Sequence, residues 1–583
     1  MNSKSDSRLL GLRGLTLVAL FLTATSYLTA QTAAQKAAKI DEVMALASKY
    51  QTFNGSVLVA ENGKVIYKKG FGLANMEWNI PNTPETRFRL GSITKQFTAT
   101  LILQLAEQGK IKLDGKLSDY LPDYRKDVGE KVTIHQLLTH TSGIPSYTGL
   151  PGFIADVSRN PYSVDDFVKK FASNDLEFEP GSKFSYNNSG YFLLGAIIEK
   201  ITGRPYEQVI KEKIFDPLGM KNSGYDHTAT ILEKRASGYI KTRDGYLNAP
   251  YLDMSLPYAA GSLYSTVEDL FIWDQALYTD RLLSEQSKAM MYKPNLENYA
   301  YGWVISKTKL GNGPETVTTI GHNGGINGFN TLLLRYPEQR NLIVLLDNTS
   351  QGASLDRLAA ELTNILYNQP YSLPRMPLAE TLMKTIHDRG IEAGVAQYRD
   401  LKARQPNVYD FTEPQLNQLG YQLLQTNKRK EAIEIFKLNV EAYPRSANVY
   451  DSLGEAYMVA GNNEQAIVNY KKSLELNPQS QSGALALKRL TTPAPVIDTK
   501  VYDTYVGEYE VSPSFKLSVF RDGEKLMSQA TGQPPVELFP EGADNFYLKV
   551  AAAKVSFTRD EKGLVTGLVV HQGGRDIPAR KTK

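Results

Sequence analysis

A serine and a lysine three residues apart, Ser92 and Lys95 in Gly91-Ser92-Ile93-Thr94-Lys95-Gln96-Phe97, precede an apolar run (Phe97, Leu101, Ile102, Leu105) that ends at Gly109. The pattern predicts a largely buried helix starting near Ser92. Positions i and i+3 share a helix face, so the hydroxyl and the amine meet one turn apart. A hydroxyl becomes a nucleophile beside a proton acceptor, and a desolvated lysine can be that acceptor. Free N–H groups at a helix start can receive a developing oxyanion. The same serine can equally be an N-cap. A capping box would place Glu or Gln three residues on, whereas Lys95 puts a cation where the helix dipole favours an anion. Ser-x-x-Lys recurs at Ser306/Lys309, in a segment that reads as a strand running into Gly311-Asn312-Gly313.

Two further groups carry chemistry. Tyr186 and Asn188 lie in Phe184-Ser185-Tyr186-Asn187-Asn188-Ser189-Gly190, in a loop before a helix predicted from about Tyr191 to Lys200. A tyrosinate is a competent general base, and an amide can orient a lysine or a substrate carbonyl. Only about one free tyrosine in a thousand is ionised at pH 7, and bringing its pKa near 7 takes about 4 kcal/mol. A close ammonium in a partly dry site can contribute to that. Tyr-x-Asn also recurs, at Tyr246/Asn248, where it reads as a turn into a strand. The third group is His322-Asn323-Gly324-Gly325, at the end of a strand predicted from Thr318 to Gly321. Its glycines allow a substrate close to the backbone. His-Gln-Gly-Gly at His571–Gly574 shows that such a run also occurs in plain hairpins. His140, before Thr141-Ser142-Gly143-Ile144-Pro145, reads as a structural histidine bonding its loop.

The elements that must position these groups are legible around them. Ser56–Ala60 and Val65–Lys68 flank Asn62-Gly63, a hairpin signal. Thr133–Leu138 reads as a short helix, and Ala259–Thr266 as a tight turn before a helix carrying Trp273. Strands are predicted at Asn330–Tyr336 and Leu342–Asp347. The chain of 583 residues has a net charge of +4 and no cysteine. Disulfides and thiolate chemistry are therefore excluded, and no basic stripe suggests nucleic acid. Lys4, Arg8 and Arg13 precede an apolar run, Leu15–Leu22, and then small residues. This reads as a secretory signal peptide over residues 1–30, the alternative being an uncleaved anchor. The expected location is periplasmic or extracellular, with no stable membrane span after cleavage.

The order Ser-x-x-Lys, Tyr-x-Asn, His-x-Gly, with TIHQLLTHTSGIP, EPGSKFSYNNSGYFLLGAIIEKITG, FDPLGM and AAGSLYSTVEDL between, resembles the serine β-lactamase and penicillin-binding protein superfamily. More narrowly it resembles the class C β-lactamase-like branch, over residues 36–370. The resemblance implies an α/β catalytic domain, an antiparallel sheet with helices. It implies Ser92 as the acylated nucleophile and Lys95 as an aid to its deprotonation. Tyr186 would be the general base, and Asn188 would position Lys95 and the substrate amide. The backbone N–H groups of Ser92 and Gly325 would form the oxyanion hole, with Asn323 and Gly324 beside the substrate. His322 would stand where the family has the lysine of its Lys-Thr-Gly motif. A histidine is only about a quarter protonated at pH 7, which weakens a grip on a substrate carboxylate. No metal or organic cofactor is implied.

Behind this domain, residues 379–490 show a 34-residue period: Leu419/Leu453, Gly420/Gly454, Ala432/Ala466, Phe436/Tyr470 and Pro444/Pro478. The period resembles tetratricopeptide repeats. Gly394, Tyr398 and Pro406 belong to a degenerate earlier unit. The stack is either a groove for a peptide or protein partner or a spacer. After Thr492-Pro493-Ala494-Pro495, seven short β-rich runs over residues 497–583 predict a small all-β sandwich or barrel. The chain is thus expected to be an exported, multidomain serine hydrolase. Its substrates would be small molecules or peptides: D-amino-acid peptides, amides or small esters. The alternatives are a β-lactamase and a non-hydrolytic, acylatable sensor.

Overall fold

The computed structural model describes residues 31–150, 152–153, 157–242, 245–491, 499–512, 515–548, 553–572 and 575–582. The predicted signal peptide and the Thr492–Pro495 linker lie outside the described residues. Among the described residues no helix is long and apolar enough to cross a membrane.

The centre of the catalytic part is a six-stranded antiparallel sheet. Its strands are β1 (Gly55–Glu61), β2 (Lys64–Phe71), β3 (Val304–Lys309), β4 (Thr316–Ile326), β5 (Phe329–Tyr336) and β6 (Asn341–Asp347), in spatial order β3-β4-β5-β6-β1-β2. Asn62 and Gly63, both at positive φ (51° and 73°), close the β1–β2 hairpin as Asn-Gly predicts. Successive side chains of a strand face opposite ways, and β1 uses both faces. Val57 and Val59 join a core with α1 (Ala33–Lys49) and α6 (Gly352–Leu366) on one side. Leu58 and Ala60 join the larger core on the other. That side holds α2 (Thr94–Glu107), α3 (Asn188–Thr202), α4 (Tyr258–Gly261) and α5 (Val267–Ala276). α2 and α3 are buried nearly all round, packed among the other helices, and α2 takes several polar side chains in with it.

β4 corrects one expectation. The strand does not end at Gly321 but runs on through His322 to Ile326. β3 pairs with β4 only up to Gly321. From His322 onward β4 is paired on one side only, by β5. Its other edge faces the turn that carries Ser92.

Beyond Pro377 come three helical hairpins: α7 (Leu378–Arg389) with α8 (Ile391–Arg404), α9 (Glu413–Gln425) with α10 (Arg429–Ala442), and α11 (Ala447–Val459) with α12 (Asn463–Leu476). They are followed by α13 (Gln481–Thr491). The period has a packing cause. A Cβ on Gly420 would stand 2.5 Å from the Phe436 ring, and one on Gly454 3.2 Å from Tyr470. In the first hairpin Ile386, 34 residues before Gly420, takes that place, and the glycine is moved to the opposite helix as Gly394. The C-terminal segment is a closed barrel of eight strands. The seven expected runs miss Arg575–Lys581. Its charges and Pro578 hide the strand pattern, yet it pairs with both Val565–Gln572 and Gly507–Ser512 and so closes the barrel.

Candidate active site

The turn Gly91–Ile93 is a single 3₁₀ turn, and α2 begins only at Thr94. Ser92 does not cap: neither helix start has a side-chain cap bond. Gly91 sits at φ 56° and lies so close to β4 that a Cβ there would be 2.9 Å from the Gly325 nitrogen. A Cβ on Gly324 would fall 2.0 Å from the Leu90 carbonyl oxygen, whereas one on Gly325 would meet only Asn330 Oδ1, at an ordinary 3.7 Å. The glycines therefore serve two ends. Gly324 lets the turn lie down on the strand, and Gly325 leaves room in front of Ser92.

Lys95 is fully buried. Its Nζ lies 3.0 Å from Ser92 Oγ, 2.8 Å from Asn188 Oδ1 and 2.9 Å from the Ala260 carbonyl oxygen. Asn188 is not in a loop, as expected, but is the first residue of α3, behind the N-cap Asn187. Its own N–H donates to Ser146 Oγ (3.1 Å) and its Nδ2 to Thr148 Oγ1 (3.3 Å), which orients Oδ1 towards the lysine. Burial holds the Lys95 amine well below the ordinary lysine pKa. A neutral amine has two N–H groups and one lone pair. At rest Nζ donates to the Asn188, Ala260 and Ser92 oxygens; once the amine is neutral, two N–H groups suffice for Asn188 and Ala260, and its lone pair is free to accept from the Ser92 hydroxyl.

Tyr186 stands across the lysine, its ring centroid 5.0 Å from Nζ. The residue is 39% exposed, yet the protein packed around it desolvates the phenol and pushes its pKa up. An interaction with the Ser92 side chain pulls it down by less. The resting phenol is therefore neutral. His140 backs the tyrosine, with ring centroids 4.3 Å apart, and accepts the Asn187 N–H at Nδ1 (3.2 Å). It is the loop-bonding residue the sequence suggests.

His322 is 4% exposed. Its Nδ1 is 2.5 Å from the Asn323 carbonyl oxygen, which can only accept, so Nδ1 carries the proton. Nε2 then accepts from the Tyr299 hydroxyl at 3.0 Å. Burial first, and the proximity of the Lys95 amine second, push the imidazole pKa down to about 4. This corrects the expectation of a quarter-charged ring at pH 7: His322 is neutral there and both its nitrogens are engaged.

A cleft of about 550 Å³ opens in front of Ser92, reaching Asn188, Gly325 and Asn330. Tyr147, Phe153, Leu252, Leu256 and Phe329 make its apolar wall, and none of the described lining residues is charged. The structure thus brings together Ser92, Lys95, Tyr186, Asn188 and Gly325. Gly324 is buried beneath Leu90, while Asn323 is exposed and outside the lining. Sequence pattern does not single out Ser146, Thr148, the Ala260 carbonyl or Tyr299. A backbone carbonyl leaves no trace in residue type, and the hydroxyls come from ordinary loop residues.

The family model described as Beta-lactamase matches residues 34–367, and one described as a domain of unknown function matches residues 491–581. Penicillin-binding protein 4* of Bacillus subtilis is 27% identical over 573 residues, covering 92% of this chain and 97% of its own. The solved D-amino acid amidase of Ochrobactrum anthropi SV3 is 24% identical with a TM-score of 0.50, over 56% of this chain and 98% of its own; it shows likeness of fold. With the matched model spanning the sheet, the Ser92 turn and the helices around it, the chain belongs to the beta-lactamase family of serine hydrolases.

Proposed function

We propose that this chain is an exported serine hydrolase of the class C-like type that forms an acyl-enzyme on Ser92. It cleaves D-amino-acid amides and peptides or small esters. The observation that carries the reading is the buried Lys95 amine, held by the Asn188 and Ala260 oxygens with its Nζ 3.0 Å from Ser92 Oγ. Lys95 takes the Ser92 proton as Oγ attacks the substrate carbonyl carbon. The oxyanion is received by the N–H groups of Ser92 and Gly325. Tyr186, neutral at rest, gives its proton to the leaving amine or alkoxide. The resulting phenolate, stabilised by the adjacent lysinium, takes a proton from the water that hydrolyses the ester.

The uncharged cleft and the neutral His322 favour substrates without a carboxylate next to the scissile bond, since neither offers a counter-ion. A second reading, a penicillin-binding protein that is acylated and released slowly, is favoured by the length of the match to penicillin-binding protein 4*. The 34-residue period supports a tetratricopeptide-like stack over residues 379–490, between a hydrolase domain over 36–370 and a β-domain over 497–583. Intact-protein mass spectrometry with a penicillin and with activated D-amino-acid esters, on wild type and Ser92→Ala, tests these readings. Ester turnover lost in Ser92→Ala supports the first. A lasting penicillin adduct on wild type without ester turnover supports the second. Equal behaviour of the two proteins overturns both.

A further inference from the structure

A second cavity, of about 520 Å³, lies on the other side of α4 and shares no lining residue with the acyl cleft. Three carboxylates line it: Glu199 from α3, Glu207 and Asp253. Glu207 is paired with His227. Among the described residues, Glu199 and Asp253 accept only from neutral donors. Glu199 takes the Tyr206 N–H at 2.7 Å, and Asp253 takes the Ser255 N–H and hydroxyl and the Tyr251 hydroxyl. The cavity is therefore negative.

It is also aromatic. Tyr225, Tyr251 and Tyr258 contribute rings, with Tyr225 and Tyr258 edge to face at 6.4 Å, while the fourth lining ring, Tyr162, already has the Lys170 ammonium over it at 5.4 Å. Tyr258 is only 5% exposed, and its buried hydroxyl makes no hydrogen bond. Its strongest charged neighbour is the Glu199 carboxylate, which lies close enough to hold the phenol in its neutral form. The Thr228 hydroxyl, on the same lining, is orphaned too. Orphaned buried hydroxyls are costly, and here two of them border a cavity with unneutralised carboxylates. Among the described residues no group of carboxylates and histidines is clustered tightly enough to hold a metal ion. Carboxylates spread around tyrosine faces suit a larger, weakly hydrated cation, drawn by charge and by the ring quadrupoles.

We propose that this cavity binds a small organic ammonium ion between the Glu199 and Asp253 carboxylates and the tyrosine faces. The test is isothermal titration of the full chain with choline and with n-butylammonium, alongside 3,3-dimethylbutan-1-ol, the uncharged isostere of choline. The variants are Glu199→Gln, which keeps an oxygen for the Tyr206 N–H, and Tyr251→Ala, at a residue 49% exposed. Circular dichroism melting confirms that each is folded. At least one ammonium ion is expected to bind wild type while the isostere does not. Each variant should weaken that binding about tenfold. Absence of binding by both ammonium ions, equal binding of the isostere, or wild-type affinity in both variants overturns the proposal.

Discussion

Replacing Lys95 with alanine removes the buried amine that lies 3.0 Å from Ser92 Oγ, and acylation should fall by about 10²–10⁴-fold. Single-turnover acylation followed by mass spectrometry measures this. The sign of the pH dependence follows from burial. Only the neutral amine accepts a proton, and burial favours the neutral form. Activity should therefore rise as pH climbs through the lowered Lys95 pKa and be lost below it. His322, pushed down to about 4, is neutral from pH 5 to 7.5. The acid limb of kcat/KM is expected to stay in place in His322→Gln, and a limb that moves with this change would assign it to the histidine instead. At this scale the sequence marks the right residue types, since Ser92, Lys95, Tyr186 and Asn188 do converge. Their protonation states were not legible, because desolvation depends on what packs around each group.

Two neighbouring glycines of β4 have different tasks, and substitution should separate them. Gly324→Ala drives a Cβ into the Leu90 carbonyl. It should destabilise the fold towards the upper end of about 1–3 kcal/mol and disable acylation by lifting the Ser92 turn off the strand. Gly325→Ala meets only Asn330 Oδ1, at 3.7 Å, and should leave the thermal midpoint nearly unchanged while altering substrate binding in the cleft. Urea titrations of both variants, with ester kinetics, check this. In the helical stack, Gly420→Ala places a methyl 2.5 Å from the Phe436 ring and should cost about 1–3 kcal/mol. Gly454→Ala, with 3.2 Å to Tyr470, should cost less. The continuation of β4 past His322 was not legible, because a Gly-Gly run reads as a strand end when the turn lying against it is unseen.

Across the whole molecule the described residues form separate cores. The helical stack packs around Leu416, Leu419 and Phe436, and the barrel around Tyr505, Phe546 and Phe557. Neither core shares a member with those of the catalytic part. The links between parts are polar: Lys241 with Glu380 (3.0 Å), and Arg489, which pairs with Glu541 (3.2 Å) and lies over the Tyr547 ring. Such links contribute little, so calorimetry of the full chain should show more than one transition. A stable acyl adduct on Ser92 should raise only one of them. A single transition that moves as a whole would show tighter coupling than these contacts imply.

The sequence by itself determined the family, and it marked the side chains that the structure gathers around Ser92. Motif spacing, the 34-residue period and turn chemistry are local properties written in residue identity. Tertiary structure alone decided which groups are charged, that His322 turns both nitrogens away to Tyr299 and Asn323, that the cleft before Ser92 has no counter-ion among its described residues, and that a negative aromatic cavity lies behind α4. Each of these depends on burial and on partners tens to hundreds of residues away in the chain, brought together only by the packing of helices and sheet.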